Sequence, residues 1–148
     1  MKKKSKDKTI KLTIAYDGTR YHGWQMQKGQ VSIQEVLEKA VASVIHENVR
    51  VIGSGRTDTG VHALGQVAHF SSKTKLVPVR LWKALNSRLP QDIRIVKVEE
   101  VNSKFHARFS ARSKTYCYSI WTGEVIPVMD RHRLLHHNLI QILWLRRF

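Results

Sequence analysis

Segments with the periodicity of strands alternate with segments with the periodicity of helices between residues 9 and 98, and this order limits the folds open to the chain. In residues 9–16 apolar and polar side chains alternate, which is typical of a strand with one buried face. A capping box formed by Ser32 and Glu35 then opens a run of apolar residues at helical spacing. We therefore predict a strand followed by a helix with one buried stripe.

The rest of this region completes the order β-α-β-β-α-β. Apolar runs at residues 49–52 and 66–71 predict two strands on either side of a glycine-rich bend. A second helix is expected to begin near Pro78 and to end before Pro90, and a fourth strand follows it. The side chains expected to face the core from this helix are Trp82, Leu85 and Leu89, and the strand that follows contains Ile93, Ile95, Val96 and Val98.

This order predicts an α+β fold of the ferredoxin-like or RNA-recognition-module-like type, with an antiparallel sheet and both helices on one face. The other face is expected to be free. Residues 113–121 contain alternating Tyr116, Tyr118 and Ile120, and we predict that they form a further strand that extends the sheet. A free sheet face of this kind is where related modules stack RNA bases on aromatic rings.

The bend at residues 53–62 is rich in glycine and contains Arg56 and Asp58. Gly53, Ser54 and Gly55 come directly before Arg56, and Gly60 follows two positions after Asp58. Glycine allows a ligand to approach the backbone closely, and a neighbouring guanidinium can keep a carboxylate ionised and oriented. The bend therefore indicates a reactive site. An exposed turn without a function is the alternative, because Gly, Asp and Thr are common turn residues.

The formal charge of +15, from 26 Lys and Arg against 11 Asp and Glu, favours a polyanionic partner. Nucleic acid fits this charge; an acidic membrane surface is the alternative, although no stretch approaches the roughly 20 apolar residues of a membrane helix. The single Cys117 cannot form an intrachain disulfide, and the basic N-terminus is not followed by the apolar run of a signal peptide. We expect a cytoplasmic protein.

Five blocks of sequence carry a family resemblance. They are residues 15–25 (AYDGTRYHGWQ), 32–40 (SIQEVLEKA), 56–70 (RTD at the start, GQVAHF at the end), Asn86 with Leu89-Pro90, and 105–118 (FHARFSA at the start, KTYCY at the end). In this order and at these separations they resemble the TruA-type tRNA pseudouridine synthases, over roughly residues 10–121. The resemblance implies that the fold is half of a pseudouridine synthase.

The resemblance also implies an activity, the isomerisation of uridine to pseudouridine at positions 38–40 in the anticodon stem-loop of tRNA. Asp58 matches the family's catalytic aspartate. Arg56 matches an arginine implicated in base flipping, and Tyr116 matches an active-site tyrosine that can stack on the target base. The family needs neither cofactor nor metal, and its members act as homodimers; whether this chain forms one stays open.

A set of basic, aromatic and amide residues is expected to contact the RNA. Those around the first bend can cradle RNA or simply pack as a loop, and the basic ones can contact phosphates or be ordinary surface charges. The residues assigned to this set are Arg20, Tyr21, Trp24, Gln25, His62, Gln66, Arg108 and Lys114.

The chain is expected to comprise a disordered basic arm at residues 1–8, the family domain at 9–123, and a linker remnant with a non-family tail at 124–148. The apolar tail suggests truncation or a shifted reading frame, with a divergent helix as the alternative. Three functions follow: the synthase, whose activity in the isolated chain we expect to be weak; a non-catalytic RNA-binding half-domain; and a metal-dependent hydrolase. The last is disfavoured, because His62, His69 and His106 fit no compact ligand motif.

Overall fold

The computed structural model describes residues 7–137 of the chain, and the predicted order β-α-β-β-α-β is confirmed. Of the predicted arm, residues 1–6 lie outside the described part, and Lys8 already belongs to the first strand. Residues 138–148 of the predicted tail also lie outside it. The elements are β1 (Lys8–Tyr16), α1 (Ile33–Ile45), β2 (Ile52–Gly53), β3 (Ala63–Ser72), α2 (Pro78–Arg88), β4 (Ile93–Val101), β5 (Ile120–Trp121) and β6 (Leu135–His136).

The chain forms two compact units that divide after Arg112. The first contains an antiparallel sheet in the order β2-β3-β1-β4. In the central strand β1, Leu12 lies opposite Ala68 on one side and Val98 on the other. Alternate residues of β1 are buried, as the sequence predicts, because one face of the sheet packs under the helices.

Helix α1 begins where the sequence predicts. The Ser32 side chain accepts a hydrogen bond from the Glu35 amide at 3.3 Å, which satisfies one of the free amides of the first turn. The helix buries Ile33, Leu37 and Val41 against the sheet. It ends at His46, which adopts a left-handed conformation with φ 56°.

Helix α2 begins at Pro78 as predicted, and two of the three side chains expected in the core, Leu85 and Leu89, are buried. Leu81 and Leu85 are buried, whereas the prediction that Trp82 faces the core is wrong, since 39% of Trp82 is exposed. Leu81 and Leu85 are four positions apart and share one face of the helix, which leaves Trp82 at the side. The Trp82 indole N–H donates to the Ile95 carbonyl at 2.7 Å, at the edge of the sheet.

Side chains of α2 form hydrogen bonds with backbone groups on the free edge of strand β4. Asn86 donates to the Ile95 carbonyl and accepts from the Ile95 amide, both at 2.9 Å. Val96 of the predicted strand is exposed, because the register between β1 and β4 shifts at this point. At Ile95 the backbone of β4 therefore has no groups left to pair with a further strand.

The prediction that residues 113–121 extend the sheet is wrong. Residues 113–119 are exposed and form no strand, and only Ile120–Trp121 is extended. This short β5 pairs in parallel with β6 in a separate two-stranded sheet of the second unit. The alternating tyrosines Tyr116 and Tyr118 have no buried side, so their pattern does not report a packed strand.

The sheet face opposite the helices is covered in part, contrary to the expectation that it is free. Residues 105–107 lie against His69 of β3, whose Nδ1 accepts a hydrogen bond from the Ala107 amide at 3.1 Å. The Phe105 ring meets the His69 ring edge-on at 5.9 Å, and the Lys11 ammonium lies 5.9 Å from the Phe105 ring centre. His69 is consequently buried.

Candidate functional site

An open groove of about 520 Å³ lies beside the loop that joins β2 to β3. The side chains of Arg56 and Asp58 are exposed there. Among the described residues, these two side chains form no ion pair with each other, contrary to the pairing that the sequence suggested. Both charges are therefore accessible to a ligand. The groove is lined by His22, Gln25, Gln27, Arg56, Thr57, Asp58 and Thr59.

The loop that carries Asp58 is held by the backbone of residues 18–24. The Trp24 amide donates to the Thr57 carbonyl at 3.0 Å, and the Gly60 amide donates to the Tyr21 carbonyl at 3.3 Å. Gly23 has φ +76° and lies so close that a Cβ atom there would stand 2.4 Å from the Thr57 carbonyl oxygen. The first glycine-rich turn of the chain thus fixes the backbone on either side of Asp58.

A hydrogen bond between side chains joins the loop to the core. The hydroxyl groups of Tyr16 and Thr57 are 2.9 Å apart. Tyr16 lies at the end of β1 and is buried, and this burial raises the pKa of its hydroxyl even though the bond to Thr57 opposes the rise. The residue directly before Asp58 is therefore anchored to the central strand of the sheet.

Removal of the Tyr16 hydroxyl is expected to loosen this anchor. We expect Tyr16→Phe to lower the free energy of unfolding by about 0.5–1.5 kcal/mol, the usual contribution of one hydrogen bond. Thr57→Val, which removes the other hydroxyl, should act similarly, and Thr57→Ser should retain most of the stability. Urea denaturation of Tyr16→Phe, Thr57→Val and the double variant measures the coupling; strictly additive losses would show that the two hydroxyls do not interact.

The other side of the loop is held by β3. Gln66 donates to the Gly55 carbonyl at 2.7 Å and accepts from the Ser54 hydroxyl at 2.8 Å. Trp24 is buried against Gly53, where a Cβ atom would stand 2.6 Å from the indole ring. Gln66 and Trp24 were predicted to contact RNA. In the structure, Gln66 forms hydrogen bonds with the loop and Trp24 packs against Gly53 at its start.

Arg20 and Tyr21 are tied to Asp92, which follows α2. The Tyr21 hydroxyl donates to Asp92 at 2.7 Å, and the Arg20 guanidinium donates to the same carboxylate at 2.7 Å. Burial and the hydrogen bond to Asp92 raise the pKa of Tyr21, which remains a neutral donor. Tyr21 is buried, so its ring has a packing role, while the Arg20 side chain remains largely exposed.

The other residues predicted to contact the RNA or its target base are His62, Gln25, Arg108, Lys114 and Tyr116. The His62 Nδ1 atom lies 3.3 Å from the Gly18 amide nitrogen and 3.2 Å from Asp17 Oδ1, at the far end of the loop. Gln25 lines the groove and donates to Gln34 of α1 at 3.0 Å. Arg108 is exposed in the first unit, while Lys114 and Tyr116 are exposed in the second.

Comparison with known proteins decides the family. A family model described as tRNA pseudouridine synthase matches residues 12–110, two thirds of the chain. The chain belongs to the tRNA pseudouridine synthase family. Asp58, Arg56 and the loop around them lie within the matched residues, whereas Lys114 and Tyr116 lie beyond them.

Curated relatives of the family are similar to the chain at about half identity. A protein named tRNA pseudouridine synthase A from Ruminiclostridium cellulolyticum is 48% identical over 127 residues, covering 86% of the chain and 52% of the relative. One of the same name from Thermoanaerobacter sp. is 52% identical over 113 residues, covering 76% and 46%. One from Maridesulfovibrio salexigens is 52% identical over 112 residues, covering 76% and 41%. The chain spans about half the length of the curated relatives it matches.

Within this synthase-family chain, the histidines have structural contacts. His69 and His106 lie with ring centres 4.7 Å apart on the sheet face, while His62 contacts Asp17. Across residues 7–137, no three His, Cys, Asp or Glu side chains are grouped as a metal ion requires. None of the described helices is long and apolar enough to cross a lipid bilayer.

Acidification is expected to destabilise the fold through His69. Burial, followed by the nearby His106, holds the pKa of His69 below its ordinary value, although a hydrogen bond to the Ile52 backbone opposes them. The unfolded chain therefore takes up a proton near pH 6.5, and the folded chain does so only at lower pH. The free energy of unfolding should be highest above about pH 6.5 and should fall as the pH drops toward the lowered pKa.

Urea denaturation between pH 7.5 and 5 measures this loss. The matched variant His69→Asn places an amide oxygen near the position of Nδ1 and does not titrate, so it isolates His69 from the other histidines. We expect its stability to decline less with falling pH than that of the unaltered chain. Parallel curves for the two proteins would assign the acid sensitivity to other groups.

Proposed function

We propose that this chain carries the catalytic carboxylate of a tRNA pseudouridine synthase, and that Asp58 is that group. The observation that carries the proposal is an exposed carboxylate in an open groove, on a loop whose backbone is fixed from both sides, within the region that matches the family. A fixed backbone with an accessible side chain suits a reaction in which the enzyme must present one group to a bound base.

The proposed reaction is the isomerisation of uridine to pseudouridine at positions 38–40 in the anticodon stem-loop. The bond between N1 of uracil and C1′ of ribose breaks, C5 of the base bonds to C1′, and one proton leaves C5 while another is gained at N1. Breakage of the glycosidic bond builds positive charge at the sugar, which the Asp58 carboxylate can stabilise electrostatically or capture covalently. Attack on the base and removal of a proton are alternative roles for Asp58.

The groove also suits extrusion of the base. A stacked base has to leave the stack before a carboxylate on the protein can reach it. Arg56 is exposed beside Asp58 without an ion pair to it, so its guanidinium can occupy the vacated position or bind a phosphate. His22, Gln25 and Gln27, which also line the groove, can donate or accept hydrogen bonds with the base edge.

The remaining assignments complete the proposal. Tyr116 stacks on the target base, and Arg20, Arg108 and Lys114 contact phosphates of the tRNA. A formal charge of +15 supports such a partner. The resemblance implies a homodimer, and we propose that the protein acts in the cytoplasm.

Position-resolved detection of pseudouridine tests this function. The chain is incubated in excess over an unmodified tRNA transcript with uridine at positions 38, 39 and 40, and chemical labelling followed by primer extension locates the product. A transcript with cytidine at all three positions is the control. Product at these positions in the first transcript alone is expected; product elsewhere, or none, would contradict the proposed reaction.

RNA binding without turnover is a second candidate. It is favoured by the formal charge of +15, which supports binding to a polyanion whether or not a reaction follows. In that case tRNA affinity should fall steeply with salt, by about a thousandfold between 50 and 200 mM for six phosphate contacts, while no pseudouridine forms. Detection of pseudouridine at positions 38–40 would exclude this candidate.

A further inference from the structure

An exposed aromatic ring stands on the sheet face opposite the helices, outside the Asp58 groove. Phe109 is 78% exposed, although it is a large apolar side chain. Its ring stacks on the His106 ring, with centres 4.3 Å apart and planes inclined by 26°. The Arg108 guanidinium carbon lies 5.9 Å from the centre of the Phe109 ring. We call His106, Arg108 and Phe109 the Phe109 platform.

Hydrogen bonds hold the backbone and the His106 ring of the platform, and stacking on His106 orients the Phe109 ring. The Ser110 amide donates to the His106 carbonyl at 2.7 Å, and the Ser110 hydroxyl accepts from the His106 amide at 3.1 Å. The His106 Nδ1 atom accepts from the Arg108 amide at 3.3 Å and from the Phe109 amide at 3.4 Å. The neighbouring Ala107 amide is bonded to His69 of the sheet. An aromatic ring that is already ordered loses little freedom when a ligand stacks on it.

The charges around the platform identify the kind of ligand. Residues 102–112 contain Lys104, Arg108 and Arg112 and no acidic residue, and all three basic side chains are exposed. Single-stranded nucleic acids are bound where an aromatic ring stacks on a base and cations contact the phosphates beside it. A second copy of this chain is a poorer fit, because it would bring a further charge of +15 to a basic surface.

We propose that the Phe109 platform binds an unpaired RNA base by stacking, at a site separate from the groove that contains Asp58. His106 covers one side of the ring, and the high exposure of Phe109 leaves room for a base on the rest of it. The site extends the proposed function, on which it depends for the identity of the partner as RNA. The Phe109 platform contacts an unpaired nucleotide other than the one that reacts, so it is a second contact between the protein and the RNA.

Affinity for two matched RNA oligomers tests the platform. The first is a fluorescently labelled single-stranded oligouridine, and the second is an abasic oligomer of the same length and phosphate charge. Phe109→Ala and Phe109→Leu are expected to weaken binding of oligouridine by about 5- to 100-fold, the usual loss for one stacked base. Binding of the abasic oligomer should be unchanged, and Phe109→Tyr, which retains an aromatic ring, should bind both oligomers as the unaltered chain does.

Several results would overturn the proposal: unchanged affinity of Phe109→Ala for oligouridine, an equal loss for both oligomers, or no binding of oligouridine by the unaltered chain. A change in oligomeric state by light scattering with unchanged RNA affinity would assign Phe109 to a protein contact instead. Because Phe109 is exposed, the urea midpoint of its variants should match that of the unaltered chain. Oligouridine affinity and pseudouridine formation in tRNA are measured separately, so failure of the stacking site and failure of the proposed catalysis are distinguishable.

Discussion

Substitution of Asp58 by asparagine is expected to lower the single-turnover rate of pseudouridine formation by at least about a thousandfold, the scale of loss seen when a reacting group is removed. Asparagine has nearly the same shape, but it has no negative charge to stabilise the sugar and is a far weaker nucleophile. Since the Asp58 side chain is exposed, the change should leave the free energy of unfolding within about 0.5 kcal/mol of its original value.

Two controls make the Asp58→Asn result specific. Glu100→Gln neutralises another exposed carboxylate, which pairs with Lys8 at 2.7 Å and does not line the groove, and it should leave the rate unchanged. The affinity for tRNA should be retained in both variants, because the loss is one of chemistry rather than of binding. A rate for Asp58→Asn within tenfold of the original would remove Asp58 from the catalytic role.

Much of the fold could be predicted from sequence because its main elements are periodic. The alternation in β1 and the cap at Ser32 each depend on a few neighbouring residues, and the predicted strand and the predicted start of the helix are confirmed. The burial of Leu81 in place of Trp82 could not be predicted, since it depends on which side of the helix meets the sheet. The tyrosines at 116 and 118 alternate as strand residues do, yet alternation alone does not supply a pairing edge.

The candidate site, like the fold, could be predicted only where its signal is local in the sequence. The bend at residues 53–62 identified Asp58 and Arg56, because glycine-rich sequence around charged residues is a local signal. The hydrogen bond between Tyr16 and Thr57 joins residues 41 positions apart, and Asp92 meets Tyr21 across 71 positions. No local pattern connects such pairs. His22 and Gln27 line the groove and belong to the run at residues 21–27, for which the sequence left two readings open, an RNA cradle or a packed loop.

Gly23 links the stability of the fold to the position of Asp58, and Gly23→Ala is the substitution in which both should change. Alanine at φ +76° is strained, which costs about 1–2 kcal/mol. The new Cβ would also stand 2.4 Å from the Thr57 carbonyl oxygen and 3.1 Å from the Asp58 carbonyl carbon, and both of these are backbone atoms. Relief of this overlap should add about 1–3 kcal/mol, so we expect a total loss of roughly 2–5 kcal/mol by urea denaturation.

Gly29→Ala separates the two causes. Gly29 has φ +77°, almost the same as Gly23, but a Cβ atom there would meet nothing within 4 Å. This control should lose only the roughly 1–2 kcal/mol of backbone strain and retain the rate of pseudouridine formation. Gly23→Ala should lower that rate even where both variants are fully folded, because the overlap is relieved by displacing the backbone at Thr57 and Asp58. Equal losses of stability and equal rates in the two variants would show that the close approach of Gly23 does not position the loop that carries Asp58.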